Sequence, residues 1–475
     1  MANLNEPLVE ELTPLGAWDA CRRLAALPHV LFLDSAAPSA FGRYSFVAAD
    51  PMCWLTSNGN AIFENGNPIA TGDPLAHLAK RLDEFKLDTL PGLPPFQGGW
   101  AGLLGYELCH HIERLPRAAF VDFAIPDLAL GCYDWVLAFD LGDNRCWLVS
   151  TGWPETDPTR RRDRAQQRMA QVKRWIDTPL PPPEWSPTSP ITMKTPQHPK
   201  PGLDGVTSNF SRAEYEVAVQ RAIDYVHAGD CFQVNIAQRL TRPARLPPLE
   251  MYDRLRLRNP APFAGYFDLG DWQILSASPE RFLQMNDRQI VTRPIKGTRP
   301  RGMTPQEDAA RAEDLRTSDK DRAENVMIVD LLRNDLGRVC DYGSVRVEAV
   351  CKLESYRYVH HLVSEVRGTL RAGLSPVDLL RAAFPGGSIT GAPKVRAMQI
   401  ITELERTARG PYCGSLGYLS FDGALDTNLL IRTLVQGAGR LHFAVGGGIV
   451  ADSTPAKEYA ETWHKAEGLL RAMGE

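Results

Sequence analysis

Two groups in this chain have types and neighbours suited to covalent or acid–base work near neutral pH. The first is Lys296, set in Arg293-Pro294-Ile295-Lys296-Gly297-Thr298-Arg299-Pro300-Arg301. Prolines stiffen the backbone on either side and three arginines crowd the stretch, which predicts a rigid Gly-Thr turn holding a lysine among cations. Like charges disfavour an ammonium, lower its pKa and free the amine as a nucleophile. A solvated basic turn with an ordinary surface lysine is the plain alternative. The second group is Glu280, after Ser278-Pro279 at the end of an apolar hairpin. Partial burial there raises a carboxyl toward general-acid service, while pairing with Arg281 is equally open.

Further groups could bind rather than react. Asp321 and Glu324 stand three apart in a helical pattern, as do Glu458 and Glu461, so each pair shares one helix face. Oxygen donors without His or Cys suit Mg2+, which takes one or two carboxylates plus waters and substrate oxygens. The same spacing is common on any solvated helix. Lys465, four residues after Glu461, reads equally as a helix ion pair. Arg432 falls in the apolar run 429–434, predicted as a strand, where a buried guanidinium requires an anion. Gly446, Gly447 and Gly448 offer backbone N–H groups to a carboxylate, or mark a packing point. His361 closes a strand and by itself reads as a core residue.

The elements that must position these groups follow from pattern. A chain of 475 residues predicts two or three domains, and its 44% hydrophobic and 23% charged content is that of a soluble globular protein. The net charge of −4, without a basic stripe, argues against nucleic acid. The start lacks a basic and then apolar leader, no run spans a bilayer, and nine scattered cysteines form no C-x-x-C pair; the expectation is a reduced, cytoplasmic protein without membrane contact. Strands are predicted at 30–33, 42–47, 53–56, 61–64, 128–139, 231–240, 263–267, 273–276 and 414–420, and helices at 14–26, 74–85, 158–176, 211–228, 305–335, 394–405 and 455–473. Residues 98–107 are glycine-rich but lack a phosphate-loop ending, so they read as a close-packed strand. Residues 178–205 carry nine prolines and predict an extended linker, mobile in its middle, between segments 1–177 and 206–475.

Blocks spread over 208–470 resemble the chorismate-binding enzymes: Gly229-Asp230-Cys231-Phe232-Gln233-Val234-Asn235, Ser278-Pro279-Glu280-Arg281-Phe282, Pro294-Ile295-Lys296-Gly297-Thr298, Ala323-Glu324-Asn325-Val326-Met327, Gly387-Ser388-Ile389-Thr390-Gly391-Ala392-Pro393-Lys394, Ile431-Arg432-Thr433 and Gly446-Gly447-Gly448. Pro-Ile-Lys-Gly-Thr is similar to the signature of the aminodeoxychorismate synthase branch, whose anthranilate synthase relatives usually carry alanine for the lysine. Asn325, where that second branch commonly has histidine, points the same way.

The resemblance implies an α+β fold of two large antiparallel sheets packed as a sandwich with outer helices. It implies a catalytic domain at 206–475, with a cleft in which Glu324 and Glu461 hold Mg2+ and Asp321 and Glu458 support them. Gly297, Thr298, His361, Tyr412, Arg432, Gly446 to Gly448 and Lys465 would bind chorismate, Glu280 would serve as general acid and Lys296 as covalent nucleophile. Gln233 stands where isochorismate synthases have a water-activating lysine, which disfavours hydration. In segment 1–177, Asp34-Ser35 and Gly42-Arg43-Tyr44-Ser45-Phe46, with 259–264, resemble a tryptophan pocket built from Ser35, Arg43, Tyr44, Pro262, Phe263 and Ala264. The expected activity is amination of chorismate to 4-amino-4-deoxychorismate, a transaminase-class reaction of folate synthesis, with ammonia from a separate glutaminase subunit. An anthranilate synthase large subunit and an idle tryptophan sensor are the competing readings.

Overall fold

Runs such as Leu128–Tyr133 and Trp135–Asp140 are buried on both faces, so each must be covered from two sides. Two stacked antiparallel sheets with helices outside meet that demand. The computed structural model describes residues 6–474 apart from 38–41, 89, 183 and 357–358. Among these, one sheet has 13 strands and the other 12. The core between them joins Leu31, Phe46 and Val136 of the first sheet to Leu103, Leu416 and Tyr418 of the second. Outside the first sheet lie Pro158–Asp177, Pro248–Arg258 and Pro455–Met473; outside the second lie Pro74–Glu84, Asp319–Gly337 and Pro376–Ala383.

Segments 1–177 and 206–475 complete each other's sheets. Leu31–Asp34 pairs with Phe263–Asp268, and Gly99–Leu104 pairs with Ser415–Ser420. The second half of the stretch between them is hydrogen-bonded to the body: Ile191 N–H donates to Ala438 O at 3.2 Å, and Thr195 Oγ1 donates to the Asp122 carboxylate at 2.7 Å. Its prolines lack the donors for a ladder, so side groups and scattered amides tie it down instead.

The helix Arg212–His227 starts as its sequence requires, with Ser211 and Glu214 exchanging the two bonds of a capping box. Four expectations change. The run 128–139 is two strands in different sheets, because Asp134 turns the chain across the sandwich and answers Arg168 at 3.3 Å. The helical stretch 305–335 is two helices, Pro305–Thr317 and Asp319–Gly337, separated at Ser318, which caps the second. The predicted strand 429–434 is a crossover from Leu425–Asn428 in one sheet to Thr433–Gly437 in the other. The predicted Gly-Thr turn is part of an edge strand, Ile295–Pro300, whose register with Val359–Thr369 slips between Lys296 and Thr298. Gly297, at φ 79°, forms the bulge that a side chain would strain.

Candidate active site

The reactive groups gather where the chain passes between the sheets. Glu280 lies between Trp272–Ser278 of one sheet and Arg281–Asn286 of the other; Arg432 lies on the second crossover, at φ 51°. Leu429 N–H donates to Glu280 O at 3.0 Å, which fastens the two crossovers side by side. Ser388, in the turn Gly387–Ile389, closes the group. Its hydroxyl donates to Glu280 Oε1 at 3.0 Å and its carbonyl accepts from Lys296 Nζ at 3.1 Å. The sequence reading gave Ser388 no role; its position in a Gly-Gly-Ser-x-Thr-Gly turn was the available signal.

Burial dominates the electrostatics. Glu280 is 5% exposed, and desolvation lifts its carboxyl to about 7 against the opposing pull of Lys296, the Ser388 hydroxyl, the Ile295 amide and Arg432. Lys296 is held below its ordinary value chiefly by desolvation, which the carboxylates of Glu324 and Glu280 oppose and Lys465 assists. The expected cause, a ring of arginines, is therefore corrected. Arg293 turns to Glu365 at 3.0 Å, Arg299 to Asp314 at 2.6 Å and Arg301 to Asp308 at 2.7 Å, so their charges are spent elsewhere. Desolvation lowers the Arg432 guanidinium and Glu280 opposes it. Among the described residues Arg432 makes no ion pair, so its charge remains free for an anion. His361 Nδ1 meets Thr298 Oγ1 at 2.8 Å; burial, with Arg432, lowers that imidazole to about 4 and keeps it neutral.

The triple glycine belongs to the strand Arg440–Ile449, not to a loop. It pairs with Gln233–Pro243 in the register Asn235↔Gly448, Ile236↔Gly447 and Ala237↔Gly446. Asn235 and Ala237 send their N–H groups away, to Thr390 O and to Glu405. Antiparallel alternation then directs the amides of Gly446 and Gly448 to the opposite edge, while that of Gly447 enters the ladder. The strand Thr433–Gly437 covers that opposite edge only as far as His442, so among the described residues no strand pairs with those amides. Lys465 Nζ donates to Gly446 O at 2.8 Å and pairs with Glu461 at 2.7 Å. Gln233, fully buried, has both amide atoms without a partner among the described residues. Tyr412 packs on the Arg409 guanidinium at 5.3 Å.

The four acids differ in their contacts. Glu458 and Glu461 face Gly447, where a Cβ would lie 3.0 and 3.4 Å from their oxygens. Glu458 is further held by Ser453 at 2.7 Å, and Asp321 by Arg299 at 3.1 Å. Desolvation raises Glu324, with Lys296 and Lys320 opposing and Asp321 and Glu461 adding to it, so Glu324 and Glu461 share one field. Among the described residues no three His, Cys, Asp or Glu form a ready cluster. Carboxylates with no soft donor nearby are the donor type that suits Mg2+ completed by waters and substrate oxygens.

All six residues of the expected tryptophan pocket line one cavity of about 460 Å³ between the sheets. Ser35 Oγ donates to Tyr44 O at 2.7 Å, and Arg43 is engaged by Asp140 at 2.9 Å. Arg281 and Asp426 face each other across its wall in a two-bond pair at 2.9 and 3.0 Å.

The chain matches the chorismate binding enzyme family over residues 29–471. It is 42% identical to the anthranilate synthase component 1 of Thermus thermophilus, covering 94% of this chain and 92% of that protein. It is also 42% identical to the aminodeoxychorismate synthase component 1 of Klebsiella aerogenes, covering 95% of each. Among solved structures it resembles anthranilate synthase component I from Streptococcus pneumoniae, with TM-score 0.76 and 31% identity over 91% of this chain and 93% of that one.

Proposed function

Since this chain belongs to the chorismate-binding enzyme family, we propose that it is the synthase subunit that converts chorismate and ammonia to 4-amino-4-deoxychorismate. The observation that carries this reading is Lys296, an amine with lowered basicity set beside a carboxyl that holds its proton to about 7. Substrate carboxylates would be received by Arg432 and by the amides of Gly446 and Gly448, with the Thr298–His361 pair beside Lys296 in the same strand pairing. Glu324 and Glu461 would hold Mg2+, which when bound neutralises a ring carboxylate of the substrate. Lys296 Nζ attacks C2 as Glu280 gives its proton to the C4 hydroxyl. The C2–N bond forms, the C4–O bond breaks, the ring double bonds shift and water leaves. Ammonia then attacks C4, the double bonds shift back, Lys296 departs from C2 as the free amine, and the new C4 ammonium returns a proton to Glu280. Two displacements replace one same-site substitution, and the enolpyruvyl ether is kept.

The ammonia would come from a separate amidotransferase, a reading in keeping with the component 1 names of both relatives. No helix among the described residues is long and apolar enough to cross a membrane. The cavity of about 460 Å³ would take tryptophan. A second reading, anthranilate synthesis, has equal support from overall identity, and Lys296 weighs against it.

The test is an incubation with chorismate, Mg2+ and ammonium salt, with products and intact protein mass read by mass spectrometry. We expect aminodeoxychorismate, an adduct on Lys296 when ammonia is withheld, and loss of both in Lys296→Ala. Anthranilate with pyruvate would establish the second reading instead, and no turnover would favour a tryptophan sensor.

A further inference from the structure

Among the described residues Lys296 and Glu280 share no hydrogen bond or ion pair, although each lies in the other's field. Ser388 stands between them. Its hydroxyl donates to Glu280 Oε1 at 3.0 Å and its carbonyl accepts from Lys296 Nζ at 3.1 Å. The turn Gly387–Ile389 that carries it is fixed from several sides. Thr390 Oγ1 donates back to Gly386 O at 2.9 Å, and Arg409 donates to Ile389 O at 3.3 Å. Gly387 lies so close to the helix Asp319–Gly337 that a Cβ there would be 2.4 Å from Leu331 Cδ2. The Ser388 hydroxyl has no other acceptor among the described residues, so its single proton is committed to Glu280 Oε1 and the acid's own proton is left to Oε2. Likewise one N–H of the amine is committed to the carbonyl, and its electron pair faces elsewhere.

We propose that Ser388 is a positioning residue that keeps the nucleophile and the acid apart, giving each a neutral partner in place of the other. This rests on the reading that Lys296 and Glu280 are the reacting pair. If the two met directly at this depth, the proton of Glu280 would pass to Lys296 and leave an ammonium against a carboxylate. An ammonium has no electron pair for C2, and a carboxylate has no proton for the C4 hydroxyl, so one transfer would disarm both. A carbonyl holds the amine without supplying a proton, and a serine hydroxyl that donates to the acid does not take one. The rigid turn sets the spacing, and both groups stay armed until the substrate enters.

The test uses the whole chain with chorismate and Mg2+, following the Lys296 adduct by intact-protein mass without ammonia and steady-state rates with ammonium salt. In Ser388→Ala the adduct should form about ten-fold more slowly or worse, the loss of one hydrogen bond to an ionisable group. The kcat should fall with it while KM for chorismate holds, because both Ser388 oxygens are engaged by protein groups rather than by substrate. Ser388→Thr, which keeps the hydroxyl, should recover most of the rate. A crystal structure of Ser388→Ala should show Lys296 Nζ moved onto the Glu280 carboxylate. An adduct that forms on Lys296 equally fast in Ser388→Ala and wild type overturns the proposal alone. So does a KM that rises at constant kcat, an equal loss in Ser388→Thr, or a lysine that has not moved. Turnover by the wild type without any adduct on Lys296 overturns the reading of the reacting pair, and the proposal with it.

Discussion

At the scale of single residues, desolvation outweighs local charge. Lys296 has three arginines beside it in the chain, yet each is paired with an acid, and the lysine's largest charge influences are the carboxylates of Glu324 and Glu280. Glu280 has the converse problem, a carboxyl forced to stay protonated in a nearly closed site. Its folded-state value of about 7 lies above its ordinary 4.5, so the fold binds that proton more tightly than the unfolded chain does. The stability this supplies is complete below 4.5 and is lost as pH rises through 7; the full swing is about 3 kcal/mol. Glu280→Gln cannot ionise and escapes the loss. Urea denaturation at pH 5 and pH 8 should show the variant gaining on wild type by up to that amount. An unchanged difference would mean Glu280 is already ionised at pH 5.

At the scale of elements, the site is made by irregularities in otherwise regular strands. The bulge at Gly297 offsets Lys296 from Thr298 in the pairing with Val359–Thr369. A Cβ at Gly297 would lie 2.8 Å from Leu315 Cδ1 and 3.0 Å from Asp321 Cβ, on a backbone at φ 79°. Gly297→Ala should therefore cost about 1–3 kcal/mol and displace the lysine. Thermal melts and steady-state rates would check both, with kcat expected to fall by more than ten-fold. Wild-type kcat would show that the bulge is not what aims Lys296. The turn Gly387–Ile389 depends on its surroundings in the same way: Arg409 donates to Ile389 O at 3.3 Å and is locked to Glu405 at 2.6 Å, both nearly buried. An ion pair taken from water at that depth rewards only close geometry, which specifies where the turn must lie.

At the scale of the whole molecule, the two sheets are one construction, and the cavity between them belongs to neither alone. Leu33, Tyr44 and Ala264 come from one sheet, and Gln284, Leu416 and Asp426 from the other. A ligand there joins the layers, so its binding energy adds to global stability. L-tryptophan at a hundred times its Kd should raise the unfolding free energy by about 2.7 kcal/mol, seen as a higher Tm that grows with concentration. A flat Tm alongside an unbound signal in calorimetry would remove the tryptophan reading. Much of this architecture is legible in the chain itself. The capping box at Ser211 and Glu214, the acid pairs three apart and the helix Pro455–Met473 all follow from neighbours within a turn or two. What periodicity could not give is where a continuous apolar run changes sheet. Residues 128–139 and 429–434 look like single strands because both halves are buried, and only packing reveals the crossings at Asp134 and Arg432. Those crossings set the chemistry. The order of residues determined which acids and amines the chain owns and which short elements carry them. The tertiary structure decided their protonation and their partners, because desolvation and charge fields sum over groups far apart in sequence: Glu280 with Ser388, and Lys296 with Glu324.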